Sequence, residues 1–211
     1  MWVLILTVVI IVSAALTISA EYRGSRRTVY LFKPLTTFCL ILLALVPKYP
    51  VAPFYRYMIV AGLVCSLAGD VFLMLPSDKF IAGLLSFLIA HLCYIAAFMF
   101  AGERTAVYAW AVAPLLLYGG LMLRWLWPAL GRMRTPVIIY MLVILLMGLA
   151  ALSRYVETKQ SGSSLAACGA LIFIASDSIL AVDKFRGRFR FAQLLILSTY
   201  FTAQWLIALS T

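Results

Sequence analysis

Residues 65–75 read C-S-L-A-G-D-V-F-L-M-L and set one carboxylate, Asp70, inside a mostly apolar run that extends back to residue 55. About 20 predominantly apolar residues carry a helix across a bilayer, so 55–75 reads as one crossing. A charged side chain within a crossing faces the bundle interior, where a substrate, proton or ion pathway supplies its partners. The stretch therefore predicts an all-α membrane bundle with a functional interior.

Composition agrees with that prediction. Of 211 residues, 65% are hydrophobic and only 11% charged, and the mean hydropathy is +1.08, values that belong to polytopic membrane proteins and exclude an ordinary soluble domain. Charged or Pro/Gly-rich breaks divide the chain into eight transmembrane spans, 2–20, 29–47, 55–75, 80–101, 105–123, 136–152, 165–182 and 191–209. These occupy nearly the whole length, so one integral membrane domain over 1–211 is expected. Trp125, Trp127 and Pro128 fit either an interfacial belt or a longer fifth helix. Residues 2–20 lack a basic leader region and outlast the apolar core of a signal peptide, so a retained first helix is expected.

The net charge of +10 resides in short connections between apolar runs. That distribution argues against nucleic acid as a partner and for membrane lipids. Cys39, Cys65, Cys93 and Cys168 all lie in apolar segments without C-x-x-C spacing and read as small core residues. Lys and Arg number 12 in the odd-numbered connections, including Lys33, and 5 in the even ones. By the positive-inside rule both termini lie outside and the odd connections in the cytoplasm.

A helix rises about 1.5 Å per residue, which turns position into depth. Asp70 comes about five residues from the cytoplasmic end of its span and Asp177 about six, so the two carboxylates are expected in one layer. They stand in similar settings, A-G-D at 68–70 and A-S-D at 175–177, in the third and seventh spans. Pro34 and Pro136 are expected to open the second and sixth helices. Together these echoes point to two parallel four-helix repeats related by an axis along the membrane normal.

Gly62, Ser66, Gly69 and Asp70 share a helical face, as do Ala166, Gly169, Ala170, Phe173, Ser176 and Asp177. Small residues of this kind let helices approach closely, which turns both carboxylates inward. The sole histidine, His91, lies about 16 Å along the fourth span, on the face of Phe87 and Tyr94. Lys33 fits either a snorkelling topology lysine or a phosphate contact. Tyr140, Ser176, Gln193, Tyr200 and Gln204 read as hydrogen-bonding lining, with helix–helix adhesion as the alternative. One histidine without a thiolate is thin ligation for zinc, so no metal is expected, and no nucleophile elbow, metalloprotease motif or phosphate loop occurs. Two acidic groups in unlike surroundings suit acid-initiated hydrolysis.

Lys33-Pro34, G-D-V-F-L-M at 69–74, F-x2-G-L-x2-F-x3-H-L-x-Y-I at 80–95, F-I-A-S-D-S-I-L at 173–180, and Tyr200 with Gln204 together resemble the YhhN-type membrane proteins, the lysoplasmalogenases. The likeness covers nearly the whole chain, and Asp183 stands where an uncharged polar residue is expected. The resemblance implies hydrolysis of the vinyl ether bond of a lysoplasmalogen, without a cofactor, in a bacterial cytoplasmic (inner) membrane. It implies a lysophospholipid drawn from the bilayer, its head group at the basic cytoplasmic face, and leaves the oligomeric state open. Asp70, Asp177 and His91 are then the expected catalytic residues, with Asp70, beside Gly69, the drier acid and Asp177, flanked by Ser176 and Ser178, the hydrogen-bonded base. Lys33, Tyr94, Tyr140, Ser176, Tyr200 and Gln204 are the expected substrate contacts. A proton-coupled transporter and a non-catalytic lipid-binding bundle remain alternatives, since intramembrane carboxylates also serve carriers.

The charge count makes a topological prediction. A reporter that functions only outside the cytoplasm, fused after Thr211, is expected to be active, and activity of a cytoplasm-specific reporter there would invert the assignment.

Overall fold

The computed structural model describes residues 1–75, 79–100 and 108–211, the side chain of Ala109 excepted. The described residues form eight α-helices: α1 Trp2–Arg23, α2 Arg26–Leu45, α3 Pro53–Met74, α4 Phe80–Phe100, α5 Ala109–Leu130, α6 Arg134–Thr158, α7 Ser161–Phe185 and α8 Ala192–Leu209. Seven helical stretches are long and apolar enough to cross a membrane, one fewer than the eight spans expected. The difference lies in Trp110–Thr158, a single helical stretch of 49 residues that joins α5 to α6 through the short 3₁₀ turn Gly131–Met133. Straight, it would extend about 74 Å, more than twice a hydrocarbon core. Instead the chain turns at Gly131, whose φ is +49°, and α6 packs back along α5.

Several predicted boundaries move. Helix α2 begins at Arg26, so Pro34 lies inside it rather than at its start, whereas Pro136 does fall in the first turn of α6. A helix interior tolerates proline in a bundle because neighbouring groups satisfy the freed carbonyl. Trp125, Trp127 and Pro128 belong to a longer α5, and α7 runs on to Phe185. Asp177 therefore lies about eight residues from its helix end, against about four for Asp70. The predicted end of the fourth span and start of the fifth, with Arg104, lie outside the described residues.

The packing order describes a ring. Helix α2 packs on α3, α3 on α4, α4 on α6, α6 on α7, α7 on α8, and α8 returns to α2. Helix α1 leans on α2 and α8, and α5 leans on α6 and α7, both outside the ring. Moving every index by four carries most of these contacts into one another: α1–α2 into α5–α6, α2–α3 into α6–α7, α3–α4 into α7–α8, and α2–α8 into α6–α4. Among the described residues the α1–α8, α3–α8 and α5–α7 contacts have no such counterpart, so the correspondence between the halves expected from A-G-D and A-S-D is partial.

The tightest seams lie where a glycine faces a partner. A Cβ on Gly69 would stand 2.6 Å from the ring of Phe87 on α4, and one on Gly169 would stand 2.9 Å from the backbone oxygen of Ala203 on α8. The second clash is with backbone, which cannot rotate away. Gly169→Ala is therefore expected to lower the melting temperature of the purified protein in detergent, by the equivalent of about 1–3 kcal/mol of overpacking. Gly120→Ala, at a site with nothing within 4 Å, should leave it unchanged or raise it. Equal effects of the two substitutions would refute this account of the α7–α8 seam.

Candidate functional site

Helices α1, α2, α3, α4, α7 and α8 line a cavity of about 820 Å³ whose lining includes Lys33, Asp70, Ser176, Asp177 and Tyr200. Its mouth lies among residues of the α1–α2, α3–α4 and α7–α8 connections, including Gly24, Lys79 and Arg188. That is the basic end of the bundle, where the odd-numbered connections gather.

Asp70 is 1% exposed, and two other helices supply its partners. From α2, Thr37 donates its hydroxyl to Oδ2 at 2.7 Å, and the Lys33 ammonium stands 3.5 Å from Oδ1. From α8, Tyr200 donates its hydroxyl to Oδ2, also at 2.7 Å. Lys33 and Thr37 are one helical turn apart and so reach the same carboxylate from one face. Behind Tyr200 the network continues: Gln204 donates from Nε2 to the Tyr200 oxygen at 3.4 Å, and Tyr94 donates to Gln204 Oε1 at 2.7 Å. One chain of hydrogen bonds thus links α4 and α8 to the carboxylate on α3.

Asp177 is poorer in donors. Tyr140 on α6 donates its hydroxyl to Oδ2 through a short hydrogen bond. Neither neighbouring serine serves the carboxylate: Ser176 donates to the Ile196 carbonyl of α8, and Ser178 donates to the Ile174 carbonyl and accepts from Tyr118. The expectation that flanking serines make Asp177 the hydrogen-bonded carboxylate is corrected here. Both hydroxyls are taken up in helix adhesion, and the richer set of donors surrounds Asp70.

The two partners of the carboxylates correspond. Lys33 precedes Asp70 by the same interval, 37 residues, as Tyr140 precedes Asp177. Each comes from the helix before the one that carries its aspartate, α2 for α3 and α6 for α7. The correspondence thus places an ammonium beside one carboxylate and a phenol beside the other.

Of the remaining predicted residues, Ser176 and Gln193 line the cavity, whereas His91, Tyr94 and Gln204 fall behind its wall. His91 is completely buried, with its ring 4.8 Å from that of Phe173, 5.3 Å from Tyr140 and 6.4 Å from Tyr94, centroid to centroid. Neither of its nitrogens has a hydrogen-bond partner among the described residues. Tyr94 and Gln204, both fully buried, reach the site only through Tyr200. Ser176 lines the cavity with its hydroxyl already committed. Thr37 escaped the sequence reading, although its position four residues after Lys33 on an inward face was a signal for it. Asp183, the departure noted above, lines the cavity and accepts from the Phe189 backbone amide at 3.3 Å. Among the described residues no three His, Cys, Asp or Glu side chains converge on a possible metal position.

Comparison with known proteins places this geometry. The YhhN family matches residues 28–211. An Escherichia coli O6:H1 protein named uncharacterized membrane protein YhhN is 29% identical over 204 residues, covering 96% of each chain. A bovine protein named lysoplasmalogenase TMEM86A is 37% identical over 159 residues, covering 72% of this chain and 64% of its own. The human lysoplasmalogenase TMEM86B is 36% identical over 156 residues, covering 74% and 64%. No solved structure matches. Apolar helices and membrane-protein relatives together make this a multi-pass membrane protein.

Proposed function

Because this chain belongs to the YhhN family, we propose that it is a lysoplasmalogenase, hydrolysing the vinyl ether bond of a lysoplasmalogen to a fatty aldehyde and a glycerophosphocholine or glycerophosphoethanolamine. The observation that carries the proposal is the pair of carboxylates on one cavity with opposite donor sets. The relatives named lysoplasmalogenase supply the reaction class.

The donor sets divide the labour. An ammonium and two hydroxyls complement an ionised carboxylate, which makes Asp70 the base and electrostatic partner. Asp177 has a phenol on one oxygen and an apolar surround, an environment that suits a carboxylic acid. This reverses the assignment drawn from the sequence. Asp177 donates its proton to the vinyl β-carbon, and positive charge develops at the carbon bonded to the ether oxygen. Asp70 stabilises that oxocarbenium-like centre and takes a proton from the attacking water. Asp70 then gives that proton to the glycerol oxygen as the hemiacetal C–O bond breaks, the hemiacetal hydroxyl returns a proton to Asp177, the glycerol leaves as the alcohol, and the chain departs as aldehyde. The two-carboxylate logic is that of glycoside hydrolysis, and it calls for no cofactor.

Lys33 stands where the substrate phosphate or glycerol oxygens meet Asp70. Tyr200 and Thr37 hold that carboxylate, with Gln204 and Tyr94 supporting Tyr200. His91 acts as a positioning residue that packs Tyr140 against Asp177. With the basic mouth toward the cytoplasm of a bacterial inner membrane, the substrate head group rests among Arg26, Lys79 and Arg188.

Aldehyde release in detergent, where no gradient exists to drive a carrier, tests the reading. Asp70→Asn and Asp177→Asn are each expected to lose about 10²–10⁴-fold in rate while the purified proteins stay folded. Tyr140→Phe should retain partial activity. Tyr140→Lys, which copies the ammonium of the other half, should approach the Asp177→Asn loss by holding Asp177 ionised. Parent-like rates in both Asn variants would overturn the acid/base assignment. Gradient-dependent uptake by liposomes without hydrolysis would favour the transporter.

A further inference from the structure

The α4 and α7 helices do not pack backbone to backbone among the described residues, although both border the cavity. Side chains bridge them instead. At the basic end Phe80 meets Phe185 edge-on, with ring centroids 5.9 Å apart, and the Lys184 ammonium sits 4.7 Å over the Phe80 ring. Deeper in the bundle Phe87 meets Phe173 at 6.4 Å. Between these bridges runs a second crevice of about 50 Å³, walled by Phe80, Leu84, Val137, Ala181 and Phe185. Its polar members are Tyr140 and Asp177.

Asp177 belongs to both compartments, as do Leu73, Phe80, Phe87 and Leu180, and it is the polar residue among the five. The large cavity, with its charged lining, and the apolar crevice therefore meet at this carboxylate. On α4, Ile81 and Leu85, next to two crevice residues, are exposed at 62% and 54%. In a membrane bundle such side chains face lipid.

We infer that the crevice between α4 and α7 holds the hydrocarbon chain of a single-chain lipid, and that Phe80 and Phe185 form a portal through which the chain enters sideways from the bilayer. This rests on the hydrolytic reading of the adjoining cavity and adds the subsite for the tail. A lysolipid has a charged head and an apolar chain on either side of one linkage. Two compartments of matching character joined at Asp177 put that linkage beside the proposed acid. As it stands, the crevice is too narrow for a chain, so the Phe80 and Phe185 rings must part on entry. An edge-on ring contact and the Lys184 ammonium over Phe80, without interlocked backbone, hold α4 to α7 there. Each such contact contributes about 1 kcal/mol, within reach of thermal motion.

Two measurements test the portal. The first is the ratio of aldehyde released from long-chain and short-chain alkenyl lysolipids, in the parent, Ala181→Trp and Leu84→Trp. Filling the crevice should lower the long-to-short ratio at least about tenfold, because the lost contacts are those of the distal methylenes. An unchanged ratio in both variants would overturn the inference. The second is independent of turnover: a non-hydrolysable alkyl ether lysolipid with a diazirine at its chain end is photolysed with the parent protein and the labelled peptides are mapped. Labels on 80–87 and 180–185 support the portal, and labels confined to α1 and α5 refute it. If the parent releases no aldehyde from any substrate, the hydrolytic reading fails by itself and the label map alone decides the tail site.

Discussion

A carboxylate inside a bilayer has no water to solvate it, so the bundle itself must supply the donors. Asp70 meets that constraint by drawing on three helices at once: its own α3, α2 through Lys33 and Thr37, and α8 through Tyr200. Those contacts fix the wall of the cavity opposite α4 and α7. Removing any one partner leaves an underpaired charge, which is more damaging than the loss of an ordinary buried hydrogen bond. The need to satisfy one side chain therefore sets the relative positions of helices that are distant in sequence, and the apolar packing elsewhere has to accommodate that arrangement.

A correspondence between the two halves relates the two sites that share the cavity. A shift of four helices carries the α2–α3 contact onto α6–α7, and each aspartate has a partner 37 residues before it. Lysine occupies that partner position in one half and tyrosine in the other. Corresponding positions thus supply similar geometry, and unlike partners, the Lys33 ammonium with the Thr37 and Tyr200 hydroxyls against the Tyr140 phenol, supply the chemical asymmetry that acid and base require. Two identical sites would have only their mutual repulsion to divide the roles.

Much of this was legible in the chain because a few residue types are costly in lipid and so point to their own surroundings. Asp70 and Asp177 announced themselves this way, and the small faces of α3 and α7 gave the direction in which they point, whereas Lys33 read equally as a topology lysine. Thr37 did not, since a threonine in a membrane helix ordinarily satisfies its hydroxyl on a carbonyl one turn back, as Thr36 also does with Phe32. His91 was read on the face of Phe87 and Tyr94, but periodicity gives only a face. Whether that face meets the cavity or the back of its wall depends on Phe173 and Tyr140, which come from helices far along the chain. The start of α2 at Arg26 was hidden because positive residues in a connection read as loop, although they continue a helix readily. Which serine bonds to carbonyl and which to carboxylate is likewise a matter of tertiary approach, and Ser176 and Ser178 both turned to the backbone.

Depth joins the fold to the proposed chemistry. Asp70 lies about four residues, or roughly 6 Å, from the end of α3, and Asp177 roughly 12 Å from the end of α7. A lysolipid resting in one leaflet keeps its charged head at the interface and its first chain linkage just beneath, in the same shallow zone. An active site at the bilayer centre would force the head group into hydrocarbon, and one outside the membrane would force the chain into water. A cavity that opens at the basic end, with an apolar crevice leading sideways from its acid, imposes neither transfer. On the proposed reading the substrate moves laterally, and the energy that would otherwise go into lifting a chain out of lipid remains available for binding the transition state.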